Sequence, residues 1–243
     1  MKRTSRRRSV KLVTFRSGHS QKIGVATDSG ACIFDLTSAS RGDKRFESML
    51  ALIDAGETGL DEAHRLFSGR GSDPEFLLPA QSVTLLAPLP EPRQMRDFST
   101  FATHLRQAKA GMERIEARKN GDDAGARAIV PPADIAALYK AQPIYYITNR
   151  FSVSGPDAVV RWPAYSRLMD FELEFGVVLG KTGRNVPFER AREYIFGYTI
   201  YNDFSARDTQ HTEMKGLMGP AKGKSFDGGN VLGPWLVTAD EIA

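Results

Sequence analysis

Short runs of apolar and polar positions alternate through the first ninety or so residues with the period of strands. Residues 10–15, 22–26 and 31–36 are three such runs. Thr27-Asp28-Ser29-Gly30 joins the last two with a turn composition ending in a glycine, so a hairpin is expected. Phe46, Met49, Leu50 and Ile53 then recur at helical spacing, with Gly56 placed to terminate the helix. Residues 83–86 read as another strand. Pro88, Pro90 and Pro92 cannot continue a helix or a central strand and mark a linker. The pattern predicts a small N-terminal β/α domain over residues 1–92 and a second domain over 93–243.

From Asp97 the period becomes helical, with Phe98, Phe101, Leu105, Ala108, Met112 and Ile115 on one stripe, and the polar stretch 118–127 reads as a loop. Residues 144–147, 171–179, 194–201 and 231–237 carry β-branched and aromatic residues at strand density, with a short helix expected over 188–194. No repeat is visible, which argues against a solenoid. The fold class expected is α+β and β-rich.

Composition narrows the function classes. The 243 residues are 41% apolar and 26% charged, an ordinary globular profile. Cys32 is the single cysteine, so an intrachain disulfide and a zinc site built on cysteine pairs are excluded, and a reducing, cytoplasmic setting is expected. It reads as a buried structural thiol. No apolar run approaches the roughly 20 residues needed to span a bilayer, so no membrane role is expected. Lys2, Arg3, Arg6, Arg7 and Arg8 supply five positive charges, and without them the net charge of +4 becomes −1. The basicity therefore belongs to a leader, expected to be disordered, and no nucleic-acid partner is expected.

Candidate chemistry concentrates in four places. In Asp170-Phe171-Glu172-Leu173-Glu174-Phe175, strand alternation puts Glu172 and Glu174 on one side and the apolar residues on the other. Two carboxylates roughly 7 Å apart repel when partly buried, and a hard divalent cation would resolve the conflict; two surface glutamates are the alternative. Asp203 ends the next apolar strand, with Arg207 and Gln210 three apart to grip a carboxylate or carbonyl, or else an Asp cap with an ordinary surface Arg. Asp97 and His104 are two turns apart, roughly 10 Å along a helix that Asp97 would open, although His104 also borders the apolar stripe as a structural histidine would. Gly219-Pro220-Ala221-Lys222-Gly223-Lys224-Ser225 is one residue short of a phosphate-binding loop, which leaves Lys224 as a cation for a developing oxyanion. His19, His64 and His211 show no ligand spacing.

Three blocks together resemble the fumarylacetoacetate hydrolase family: residues 169–174, residues 195–208 with Gln210, and Gly219-Pro220 through Gly223-Lys224-Ser225-Phe226 to Gly233-Pro234-Trp235. Arg96-Asp97-Phe98 followed by His104 is similar to a further family segment. The resemblance implies a mixed β-roll catalytic domain. By it, Asp97, Glu172, Glu174 and Asp203 would hold a divalent metal, with Mg²⁺ expected and Mn²⁺ or Ca²⁺ as alternatives. His104 would be the general base, Lys224 would stabilise the leaving carbanion, and Arg207, Gln210 and Tyr145 or Tyr146 would contact substrate. A homodimer is implied.

The implied activity is metal-dependent hydrolysis of a C–C bond in a 1,3-diketo acid of the fumarylacetoacetate or acylpyruvate type, in aromatic-compound catabolism. Decarboxylation or keto–enol isomerisation is the alternative on the same fold, and a truncated, non-catalytic binding remnant is the alternative of another class. The family's catalytic domain extends beyond the Gly-Pro-Trp block, through a glutamate that partners the histidine, so the domain is expected to be C-terminally incomplete at Ala243. Where other branches place that partner three residues after the histidine, this chain has Gln107.

Overall fold

A computed structural model describes residues 10–27 and 29–242, so the basic leader, Asp28 of the expected turn and Ala243 lie outside the described residues. β1 (Lys11–Ser17) and β2 (Ser20–Ala26) form a hairpin, and β3 (Cys32–Asp35) pairs antiparallel with β2 as the turn composition predicts. Cys32 starts β3 and is half-buried rather than buried. Asp35 caps the one-turn α1 (Leu36–Ala39) and accepts a 2.7 Å bond from Lys22.

The helix expected to end at Gly56 does not end there. α2 (Met49–Arg70) runs through it with a kink, Gly56 taking φ 57° and ψ −135°. A glycine tolerates that conformation, and Gly59, Ala63 and Leu66 then continue the buried side of the helix. β4 (Leu77–Pro79) pairs with β3, and β5 (Thr84–Leu85) with β1.

Asp97 does not open a helix either. It lies in β6 (Arg96–Phe98), which pairs with β7 (Tyr145–Ile147) so that Asp97 stands opposite Tyr146. Between the paired strands lie α3 (Ala102–Lys119), α4 (Asp123–Ala128), where a loop was expected, and α5 (Ala137–Ala141). Asp122 nucleates α4 by accepting the Gly125 N–H. The apolar stripe expected along α3 is only partly covered: Phe98 and Phe101 are exposed, Leu105, Ala108, Met112 and Ile115 are half-buried, and Ala110, off the stripe, is the one fully buried residue of the helix.

β8 (Val153–Ser154), β9 (Met169–Asp170), β10 (Leu173–Leu179), β11 (Ile195–Asp203) and β12 (Ser205–Ala206) follow, with a 3₁₀ rather than α-helical segment before β11. After α6 (Arg207–Met214) and α7 (Ala221–Lys224), the strand expected over 231–237 divides at the cis Gly233-Pro234 bond into β13 (Asn230–Leu232) and β14 (Leu236–Thr238). Proline, with no N–H to donate, ends the ladder at that point.

The fold is α+β and strand-rich. Its main sheet runs β4-β3-β2-β1-β14-β11-β13-β8, with β10 on β11. Strands from both sides of the proline run meet where Leu12 of β1 faces Leu236 of β14. Phe196 and Leu236 join Leu12, Val25, Phe34, Phe46 and Leu52 in one buried cluster. The proline run itself is packed: Thr14 Oγ1 donates to the Pro88 carbonyl at 2.7 Å in the interior. Among the described residues no helix is long and apolar enough to cross a membrane.

Candidate metal-carboxylate site

β10 reverses the usual economy of a half-buried strand. Its apolar residues Leu173, Phe175, Val177 and Leu179 are exposed, as is Phe171, while Glu172 and Glu174 turn inward. The reading of two surface glutamates is therefore overturned. Alternation alone produces this: the chain breaks from strand geometry at Phe171 and Glu172, yet Glu172 still lies on the side of Glu174. Pairing of Glu174 with Tyr201, and the bond from the Asp203 N–H to the Glu172 carbonyl at 3.0 Å, put Asp203 beside both glutamates.

Asp97 is the fourth member, delivered by β6. Carboxylate oxygens of Asp97, Glu172, Glu174 and Asp203 all lie within 4.8 Å of one another. Tyr146, opposite Asp97 on β7, brings its hydroxyl to 2.7 Å from Asp97 Oδ2 and 2.6 Å from Asp203 Oδ2. One hydroxyl carries one proton, so it can donate to only one of these oxygens at a time. Tyr145 is exposed and packs its ring at a tilt against Phe98, centroids 4.9 Å apart, so of the two tyrosines Tyr146 is the one that reaches the cluster.

Two cations face the four acids. Lys224, 2% exposed, donates to Glu172 Oε2 at 2.7 Å and Asp203 Oδ2 at 2.6 Å. α7 is positioned for this by Glu213, whose carboxylate accepts the N–H groups of Lys222 and Gly223. Gly223 lies directly on Gln210 of α6, where a Cβ would stand 2.6 Å from the Gln210 Cα. Arg207 bridges Glu172 Oε1 at 2.6 Å and Asp170 Oδ2 at 2.9 Å, and also donates to Gln210 Oε1. Among the described residues, the side-chain amide of Gln210 is linked to the cluster through Arg207. His104, near the start of α3, stands at the rim with Nε2 3.6 Å from Glu172 Oε1.

The charge balance is uneven. Glu172 is held down at about 2 by Lys224 and Arg207 against its burial. Glu174 makes no ion pair with a cation among the described residues and is pushed up to about 9, first by burial and then by Asp97, Asp203 and Glu172, with Lys224 opposing from a distance. Burial likewise raises Asp203 to about 7, Lys224 opposing it. Asp203 Oδ1 is buried with no hydrogen-bond partner. A set of four oxygen donors, one of them orphaned and one too crowded to ionise readily, fits a hard divalent cation. The residues that would hold it are Asp97, Glu172, Glu174 and Asp203.

Several supporting groups have little signal in the sequence. Asp170 anchors Arg207, and nothing but its charge and its place beside Glu172 marks it. Asn230, fully buried, accepts from Tyr201 at 2.6 Å and fixes the strand that carries Asp203. Its only signal was a polar residue at the head of an apolar run. Gln107 is exposed.

The fumarylacetoacetate (FAA) hydrolase C-terminal family matches residues 96–243, which contain every member of this cluster. The chain belongs to that family. Among its relatives is the mitochondrial oxaloacetate tautomerase of the rat, Rattus norvegicus, 28% identical over 239 residues and covering 97% of the chain. The chain spans 65% of that relative's length. A fumarylacetoacetate hydrolase from psychrophilic Exiguobacterium antarcticum superposes with a TM-score of 0.64 at 25% identity, over 96% of this chain and 68% of that one. A maleylpyruvate hydrolase from Sphingobium, in complex with manganese(II) and pyruvate, shares the fold with a TM-score of 0.60 at 19% identity, over 96% of this chain and 68% of that one. Members of this superfamily are enzymes, tautomerases and isomerases as well as hydrolases.

Proposed function

We propose that the site catalyses proton transfer at the carbon beside the ketone of a 2-oxo dicarboxylic acid of the oxaloacetate type, interconverting keto and enol forms. The observation that carries it is His104 at the rim of an acidic cluster whose charge calls for a divalent cation. A bound cation, magnesium or manganese, would supply Lewis-acid polarisation of the substrate oxygens. His104 takes the proton from carbon and returns it to oxygen. Arg207, fixed by Asp170, presents the guanidinium that orients a substrate carboxylate. Lys224 holds Glu172 and Asp203 in place and contributes positive potential beside the developing enolate.

The relatives named tautomerases favour this reading, since they match nearly the whole chain. C–C bond hydrolysis of an acylpyruvate-type acid is the second reading, favoured by Asp97 joining the cluster within a few residues of His104, the arrangement that resembles the hydrolase branch. In that case the proton His104 removes comes from water, the hydroxide adds to the carbonyl, and the C–C bond electrons leave as the enolate. The exposed apolar outer side of β10, with Phe171 and Ile200, supports a self-associating surface.

The test is an enol-absorbance assay with oxaloacetate and with an acylpyruvate, with magnesium or manganese present. Enol-absorbance relaxation of oxaloacetate with no C–C cleavage product supports the tautomerase; pyruvate and a carboxylic acid released together in equal amounts from the acylpyruvate support the hydrolase, and pyruvate formed from oxaloacetate above the metal-only control reports decarboxylation instead. His104→Ala should keep its metal affinity and lose about 10²- to 10⁴-fold in turnover. Unchanged turnover would overturn the assignment of His104.

A further inference from the structure

Residues 99–144 leave the protein at β6 and return at β7, so α3, α4 and α5 form one excursion on a two-stranded stem. Its first helix carries His104, yet Ala110 is the one fully buried residue of α3, with Leu105, Ala108, Met112 and Ile115 half-buried, so apolar packing holds it only in part. Among the described residues, polar side chains tie it to the rest of the protein at its two ends. His104 faces Glu172 at the first. At the last, Glu116 Oε2 stands 2.6 Å from His211 Nε2 and 2.9 Å from Lys215 Nζ, both from the α6 end of the site, and Lys119 donates to Thr212 at 3.4 Å. Arg106 and Arg114, by contrast, bond to carbonyls within the excursion itself.

A helix is a stiff rod, and His104 and Glu116 are twelve residues or about 18 Å apart along it. Fixing one end therefore fixes the reach of the other. We propose that Glu116, gripped by His211 and Lys215, is a positioning residue that clasps α3 to α6 and so sets His104 over the carboxylate cluster. α6 begins with Arg207, so the element that holds the far end of α3 also carries the guanidinium bonded to Glu172. One rigid path thus runs from the clasp to both sides of the site. The consequence for turnover rests on the reading of His104 given above; the clasp itself does not.

The experiment is amide hydrogen exchange on the wild-type chain, Glu116→Gln, Lys215→Met and Glu116→Asp, with calorimetric titration of magnesium alongside. The clasp predicts exchange roughly two- to fivefold faster over residues 102–119 in Glu116→Gln and Lys215→Met, with β10 and β11 amides and magnesium affinity unchanged. Glu116→Asp should recover part of the protection, because it keeps the charge. Unchanged exchange over 102–119, or a rise spread evenly over the chain, would overturn the clasp. Where the wild type turns over substrate, Glu116→Gln should lower kcat with KM unaltered. An inactive wild type would overturn the reading of His104 and leave the exchange contrast to decide the clasp.

Discussion

Lys224 is the counter-ion on which the acidic cluster leans, and its removal exposes the cost of gathering four carboxylates. Lys224→Met leaves Glu172 and Asp203 facing each other without their shared ammonium. A loss of about 3–5 kcal/mol is expected in chelator-treated protein, from urea denaturation, and millimolar magnesium or manganese should recover part of it. The two adjacent tyrosines separate as cleanly. Tyr146→Phe removes the hydroxyl that Asp97 and Asp203 share, leaving Asp203 its bond from Lys224, and should cost about 1–3 kcal/mol, whereas Tyr145→Phe, on an exposed ring, should stay within about 0.5 kcal/mol.

Glu116 supplies a pH signature. Hydrogen bonds from Lys215 and then His211 hold it at about 2, below the ordinary glutamate value of 4.5. Because the folded value is the lower one, its stabilising contribution is complete above pH 4.5 and fades as the pH falls towards 2. The Tm difference between wild type and Glu116→Gln, measured at pH 6, should therefore shrink steadily below pH 4.5. A difference of the same size at pH 3 would contradict this origin.

At the scale of elements, the approach of α7 to α6 sets where Lys224 arrives. Gly223→Ala would drive a methyl into the Gln210 backbone, and the helix must shift to admit it. Magnesium affinity by calorimetry is expected to fall about tenfold or more, with near-wild-type circular dichroism. β10 shows how far the acids are legible: alternation puts Glu172 and Glu174 on one side of an apolar strand, which suits a metal pair and a solvent-facing edge alike. Which side faced inward was not legible, because alternation fixes only that the two sets of residues oppose one another. The helix expected from Asp97 failed for a related reason. Residues 96–98 suit a strand or a helix start equally, and the partner that decides, residues 145–147, lies 47 positions or more along the chain.

For the whole molecule, the pairing of β1 with β14 and the shared core of Phe34, Phe46, Phe196 and Leu236 make the two sides of the proline run mutually dependent. One cooperative unfolding transition is expected, with calorimetric and van't Hoff enthalpies in agreement. Leu236→Ala should lower that single transition by about 2–5 kcal/mol. Two resolved transitions, only one of them sensitive to Leu236, would instead separate residues 1–92 from the rest as the sequence pattern suggested.

The sequence alone supplied the α+β class, most strands, and Asp97, His104, Glu172, Glu174, Asp203, Arg207 and Lys224 as candidates. Class and strands are local properties of residue type, spacing and period, whereas the candidates were joined into one set by the resemblance to the fumarylacetoacetate hydrolase family. Tertiary structure decided the rest. It brought β6 and β11 to one point, chose Tyr146 over Tyr145, buried Lys224 between two acids, and gave His211 a partner on a helix 95 residues away. Those outcomes depend on which strands pair and which helices touch, and pairing energy belongs to two distant segments at once, so neither segment carries it alone.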